Sequence, residues 1–416
     1  MDRKIALDIL MKYKQDKSYL NLTINSYFSN HQLSSESKDF ITRLVYGTVQ
    51  NLIYLEYMLE PFLKTRVKSY EKMLLLMSLY QHYFLDAIPD YAIVNEAVNL
   101  AKKKKGMKTA QFINAVLNQA FANKRSLDDL NEDVRLSIET SHPLWLVKML
   151  IKQYGFENCR KICEENNAVP YKTARVNTLK TNRDTLLLND RFVKGELSVD
   201  AIHYRGGNIA FTDEFKNGLI TIQDESSQCV ARLLDPKPGE YVLDMCSAPG
   251  SKTTHLAALM ENKGRIDAYD LHEHKIPLIN AQCARLGVEI VNAKAHDSTR
   301  LVKLYEKETF DKILLDGPCS GLGVLSRKPE IKYNDSSAMD EIIVIQRNLL
   351  ENAYDLLKRN GKMVYSTCTI NKKENEKQIQ AFINRHPDMK VLEEKTILPF
   401  EYHSDGFYMC LLEKGD

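Results

Sequence analysis

Along the first 140 residues, apolar side chains return every three or four positions. Ile5, Ile9, Leu10 and Tyr13 form one such stripe, Phe40, Ile41, Leu44, Val45 and Val49 a second, and Met73, Leu76, Met77 and Tyr80 a third. That spacing lines one face of a helix. Pro61, Pro89 and Gly106 fall between the stripes, where they punctuate helices without breaking them. The pattern predicts an all-α bundle over residues 1–140. It is interrupted at Ser141-His142-Pro143. Residues 141–235 mix a helix, 144–154, with strand-like pieces at 173–177 and 218–222, which predicts a small α+β region. From 236 to 416 short β-rich runs at 241–245, 265–269, 289–293, 310–315 and 362–366 alternate with helical stretches. This is the alternation of a parallel sheet with helices on both faces, so the third region is predicted to be α/β.

A chain of 416 residues is too long for one ordinary core, which agrees with this division. Apolar residues at 44% and charged residues at 27% are ordinary globular values, so disorder is not the default. The formal net charge of +2 does not point to nucleic acid, and any surface for it must be a local patch. The one dense basic run is Lys102, Lys103, Lys104, Lys105 and Lys108. It reads either as a solvated helix end, where lysines suit the negative pole of the dipole, or as a phosphate-contacting surface. Arg175 and Arg327 are alternative places for such a surface. The N-terminal MDRKIALDIL lacks the run of roughly 7–15 apolar residues of a signal peptide. No stretch approaches the roughly 18 needed to span a membrane. A cytoplasmic location without a membrane partner is expected. Eight cysteines without paired spacing suit reduced thiols. Cys159 and Cys163 could share a helix face, but two ligands are too few for structural zinc, and no metal is expected. Nothing suggests an obligate oligomer, so a monomer is expected.

In parallel sheets ligands bind at the carboxyl ends of the strands. The first strand of the α/β region ends in Asp244, followed by Met-Cys-Ser-Ala-Pro-Gly-Ser-Lys-Thr-Thr and a helix. Such a turn lets a ligand approach the backbone and the helix N-terminus. It lacks the three glycines of a dinucleotide fingerprint and the spacing of a P-loop. Asp270, after the second strand, can accept hydrogen bonds from both hydroxyls of an adenosine ribose, or it can cap a helix. Asp297, after the third, suits an adenine amino group or again a cap. The fourth strand ends in Asp316-Gly317-Pro318-Cys319-Ser320-Gly321 and the fifth in Ser366-Thr367-Cys368-Thr369. One free cysteine is most often a small buried apolar residue. Two, each at a strand end above the same crevice, favour chemistry.

Carbon five of cytosine is a poor nucleophile, and this set of groups answers that problem. A thiolate adding to carbon six makes the ring an enamine that can attack a sulfonium methyl. The adduct must then lose the carbon-five proton to expel the thiol, which calls for a second acid/base group beside the ring. A carboxyl such as Asp316 can hydrogen-bond the base and steady the charge of the adduct. On the residues alone, either cysteine could be the nucleophile.

The motifs resemble the RsmB/Sun group of bacterial ribosomal RNA cytosine-5 methyltransferases over nearly the whole length. VLDMCSAPGSKTTHLA is similar to that family's cofactor motif, DGPCSGLGVLSRKPEIKY to its Pro-Cys motif, GKMVYSTCTINKKENE to its Thr-Cys motif, and SDGFYMCLLEK to its closing hairpin. LLLMSLYQHYFLDAIPDYAIVNEAVNLAK and FINAVLNQA resemble a NusB-type RNA-binding bundle, and ARVNTLK and ITIQDESSQ the short region before the catalytic domain. The resemblance implies a Rossmann-like methyltransferase domain using S-adenosyl-L-methionine, behind an all-α NusB-like bundle and a small α+β subdomain. It implies ribosomal RNA, of the small subunit, as substrate. Cys368 would be the nucleophile and Cys319 would help product release, with Asp316 and Lys252 completing the catalytic set. Cys246, Ser247, Ala248, Pro249, Gly250, Ser251 and Lys252 would hold the methionine and ribose end of the cofactor. Asp270 would bind the ribose, Asp297 would lie near the adenine, and Asp316 would stand between the cofactor amino group and the base.

There are departures. Ser251 stands where the family commonly has Gly, Gly317 where Ala is common, and Ser326-Arg327 where a basic pair is frequent. None removes a chemical group. The rival from another class is a catalytically retired NusB-like RNA-binding protein, which should have lost a cysteine, Asp316 or the cofactor carboxylates. A methyltransferase acting on DNA or a small molecule is a further alternative, against which the helical domain and the lysine run argue softly.

Overall fold

The computed structural model describes residues 1–16, 19–335 and 337–416. The chain forms two compact units, Met1–Asn167 with Arg327–Asn334, and Ala168–Ser326 with Asp335–Asp416.

The first unit is built of helices, and the apolar stripes of the sequence are its core. Helix Ser35–Gln50 starts where the Ser34 side chain accepts from the Ser37 amide at 3.2 Å. Its Ile41, Leu44, Val45 and Val49 are fully buried, each contributing roughly 1.5–3 kcal/mol of transfer free energy. Lys102–Lys105 form the exposed last turn of helix Asp90–Lys105, which stops at Gly106 with φ +89°. The lysines therefore sit where the helix dipole favours cations, and they remain open to solvent.

This unit also takes in a strap from far along the chain. The turn Pro329–Tyr333 is held by three side chains. Glu330 Oε1 accepts from the Leu20 amide at 3.1 Å, Lys332 Nζ donates to Asn167 Oδ1 at 2.8 Å and the Gln50 carbonyl at 3.3 Å, and the Tyr333 hydroxyl donates to the Val49 carbonyl at 2.9 Å. Lys332 is fully buried, and loss of water pushes its amine down to about 7. The sequence-based division at 140 and 235 contains neither the strap nor the extension of this unit to Asn167.

The second unit holds two sheets. The smaller is antiparallel, in the order β2-β3-β1-β4, from β1 (Thr173–Val176), β2 (Phe192–Lys194), β3 (Ala201–Tyr204) and β4 (Ile220–Ile222). The larger comprises β5 (Tyr241–Asp244), β6 (Arg265–Asp270), β7 (Val291–Ala295), β8 (Phe310–Asp316), β9 (Leu357–Thr367), β10 (Met389–Ile397) and β11 (Phe407–Lys414), ordered β10-β11-β9-β8-β5-β6-β7. Strands β5 to β9 pair in parallel, and β11 pairs antiparallel to β9 and β10. Leu243, Ile313 and Met363 pack with Leu349 and Leu350 on one face. Val242, Leu314 and Val364 pack with Leu256 and Ile279 on the other. Burial on both faces explains why these strands read as continuous apolar runs. Among the described residues, no helix is long and apolar enough to cross a membrane.

Candidate active site

The turn after β5 is shaped by its backbone. Gly250 has φ +100°, and a Cβ there would stand 3.2 Å from Ile279 Cα, so only glycine fits. The Ala248–Pro249 peptide is cis. Asp244 is buried beneath the turn. Its Oδ2 accepts from Thr253 Oγ1 at 2.7 Å, its Oδ1 has no protein partner, and burial pushes the carboxyl up to about 7. The Cys246 thiol is held well above its usual range, first by burial and then by the charges of Asp244, Asp316 and Asp270. Cys246 is thus a neutral member of the turn and a poor nucleophile.

Arg175 braces the same turn from β1. It is fully buried, donating through Nη1 to the Ser251 carbonyl at 2.5 Å and Gln223 Oε1 at 2.7 Å, and through Nη2 to Thr254 Oγ1 at 3.2 Å. Burial brings its guanidinium down to about 9. Arg175 is therefore not the RNA contact that the sequence offered as an alternative: a side chain without exposed surface cannot meet a phosphate.

Asp270 closes β6 and is 7% exposed, with Oδ1 accepting from the His272 amide at 3.0 Å and lying 3.4 Å from Lys275 Nζ. Asp297 caps the turn Ser298–Lys303. Its Oδ1 accepts from the Thr299 amide at 3.0 Å and hydroxyl at 2.7 Å, and Arg300 Nε lies 3.3 Å from Oδ2. Burial works against its charge, but these donors outweigh it and keep the carboxyl below its usual range. Asp297 therefore caps a helical turn, whereas Asp270 accepts from the amide two residues on without capping a helix, and the two stand at the ends of adjacent strands.

The remaining groups meet at the ends of β8 and β9. Lys252 Nζ is 2.7 Å from Asp316 Oδ2, and Ser366 Oγ donates to Asp316 Oδ1 at 2.8 Å. Burial opposes the Lys252 charge, yet Asp316 and Cys368 raise its pKa above the usual value, so it stays an ammonium. The Sγ atoms of Cys319 and Cys368 are 3.3 Å apart, and both residues are partly exposed. Backbone bonds hold the two cysteine loops together: Gly317 N to Ser366 O at 2.8 Å, Gly323 N to Cys368 O at 3.0 Å, and Gly406 N to Gly323 O at 2.7 Å. A Cβ on Gly323 would fall 1.8 Å from the Gly406 carbonyl, so this contact needs glycine. A Cβ on Gly317 would meet Tyr365 at an ordinary 3.4 Å, so that departure from the family pattern is sterically neutral. Glu374 was not singled out in the sequence, yet it is fully buried and accepts from Ser320 at both its amide and its hydroxyl.

The crevice fits a cationic cofactor bearing hydroxyl and amino groups. Four carboxylates, Asp244, Asp270, Asp297 and Asp316, stand at strand ends, Asp244 Oδ1 has no protein partner, and the turn at Gly250 lets a ligand approach the backbone. Asp270→Ala is expected to weaken S-adenosylmethionine binding by about one to two decades, since donors left without an acceptor cost roughly 1–3 kcal/mol. Calorimetry returning the native affinity would reduce Asp270 to its bond with the His272 amide. Among the described residues, no group of three or more potential ligands could hold a metal.

Comparison with known proteins agrees with this geometry. The model of the 16S rRNA methyltransferase RsmB/F family matches residues 231–413, that of the NusB family residues 1–122, and that of the RsmF/B-like ferredoxin-like domain residues 142–190. The chain is 43% identical to the "Probable ribosomal RNA small subunit methyltransferase B" of Bacillus subtilis, covering 99% of this chain and 98% of that one. It is 31% identical to a protein of the same name from Synechocystis, covering 99% of each. A crystal structure of a methyltransferase homolog protein from Pyrococcus horikoshii, 29% identical, superposes with a TM-score of 0.62 over 68% of this chain and all of that one. Carrying the helical module, the intermediate region and the strand-end site in one chain, the protein belongs to the RsmB/Sun family of S-adenosyl-L-methionine-dependent ribosomal RNA methyltransferases.

Proposed function

We propose that the protein methylates carbon five of a cytosine in small-subunit ribosomal RNA through a covalent adduct between Cys368 and carbon six. The observation that carries this reading is the pair of thiols 3.3 Å apart in unlike surroundings. The Lys252 ammonium feels the charge of Cys368, whereas Cys319 lies near the Glu374 carboxylate. Its bond to Cys368, then burial, then the charges of Cys368 and Glu374 push the Cys319 thiol well above its usual range. In this reading the proton of the pair stays on Cys319 and Cys368 is the nucleophile.

The bound cofactor supplies an electrophilic methyl group, and the chain supplies the rest. Cys368 adds to carbon six, and the carbon–carbon electron pair becomes available at carbon five. Asp316, oriented by Lys252 and Ser366, hydrogen-bonds the base and steadies the charge of the adduct. Once Cys368 is bonded to carbon its charge is gone, and with it the strongest hold on the Cys319 proton. Cys319 then loses that proton to water and can take the one on carbon five. The carbon–sulfur bond breaks, the ring double bond returns, and Cys368 leaves as thiolate. The helical unit contributes RNA affinity, with Lys102–Lys105 as its exposed cationic turn. Incubation with methyl-labelled S-adenosylmethionine and bulk ribosomal RNA, followed by digestion to nucleosides, should place the label in 5-methylcytidine. Label in any other nucleoside would overturn the base assignment.

A further inference from the structure

Glu374 follows Cys368 on the segment leaving β9 and is fully buried. Four hydrogen bonds reach its side chain from neutral donors. Oε2 accepts from Ser320 N at 2.8 Å and Gln346 Nε2 at 3.3 Å, and Oε1 accepts from Ser320 Oγ at 2.6 Å and Asn371 Nδ2 at 2.9 Å. Gln346 Nε2 also donates to the Pro318 carbonyl at 2.9 Å, so the residues on both sides of Cys319 are tied into one cluster. The cluster is itself anchored, because the Tyr365 hydroxyl donates to the Glu374 carbonyl at 2.7 Å. A buried carboxylate is costly unless its hydrogen bonds are satisfied, and packing alone does not require one. Here two of the four bonds end on the residue next to Cys319.

We propose that Glu374 is a positioning residue of the reaction: it sets where the Cys319 thiol stands and thereby governs release of the enzyme from the methylated base. This rests on the reading above, in which Cys319 serves the second half of the reaction. Glu374 does not touch the cytosine in this scheme, so its loss spares formation of the adduct and slows its resolution. A displacement of about 1 Å in a reacting group can cost roughly a hundredfold in rate.

The test uses the full-length chain with ribosomal RNA and S-adenosylmethionine, comparing native protein, Glu374→Gln, Ser320→Ala and Cys319→Ala. Three quantities are read: cofactor binding, the rate of the first turnover, and the covalent protein–RNA band on a denaturing gel. For Glu374→Gln we expect native cofactor binding, a first turnover within about threefold of native, steady-state kcat at least about tenfold lower, and an adduct band near that of Cys319→Ala. Ser320→Ala removes one of the four bonds and should move the same readouts less. If Cys319→Ala gives the band and Glu374→Gln turns over like the native protein, the positioning role is overturned. If Glu374→Gln does not fold, Ser320→Ala decides, and the absence of extra adduct overturns the proposal. If Cys319→Ala itself gives no band, the underlying reading of Cys319 fails.

Discussion

Cys368→Ala is expected to lower methyl transfer by at least about a thousandfold while leaving S-adenosylmethionine binding unchanged, because covalent activation is the step that makes carbon five reactive. The residue stands beyond the last ladder pair of β9 and β8, next to Cys319, whereas the cofactor carboxylates lie at the ends of β5 and β6. Cys246 cannot substitute for it, because burial and the charges of three carboxylates hold that thiol protonated. Label incorporation and calorimetry on one preparation check both halves of the expectation. Turnover within tenfold of native would move the nucleophile elsewhere.

Cys319→Ala should do something qualitatively different, namely accumulate protein–RNA adduct. The attacking thiol of Cys368 remains, but the carbon-five proton loses its acceptor, and the carbon–sulfur bond persists. A slow-migrating band that survives denaturation is the expected result, with multiple-turnover rate down by about two to four decades, the usual size of a general-base contribution. Appearance of the band in Cys368→Ala instead would exchange the two roles.

These groups were legible in the sequence because each follows a strand, and the strands were legible because burial on both faces makes them apolar runs. Asp244, Asp270, Cys319 and Cys368 could be placed at one edge of a sheet before any contact was known. The expected third strand, 289–293, lies two residues ahead of β7, a small displacement. Strand β10 was missed because its inner residues, Lys-Val-Leu-Glu-Glu-Lys-Thr, are more than half charged and almost all exposed, with only its ends buried. Strands β2 and β3, of three and four residues, are too short for alternation to register. Arg175 and Glu374 escaped for a common reason. Charged side chains are almost always exposed unless paired, so a lone Arg in a short strand or a Glu amid Lys-Lys-Glu-Asn-Glu reads as surface. Only the closed structure shows which of them is enclosed by donors or acceptors. Nor could spacing separate Cys319 from Cys368, since the charged groups near each, Glu374 and Lys252, come together with them only in the closed structure.

The strap Arg327–Asn334 bears on how such a chain can be inherited and rearranged. Its residues are encoded within the catalytic half, after Cys319 and before the helix that supplies Gln346, yet they complete the packing of the helical unit. No single cut separates the two units cleanly. A gene break after Asn167 would leave Leu20, Val49 and Asn167 without Glu330, Tyr333 and Lys332. An exchange of helical modules between relatives must therefore carry a compatible eight-residue stretch from the other end of the gene, which makes the fused arrangement easier to keep than to dismantle.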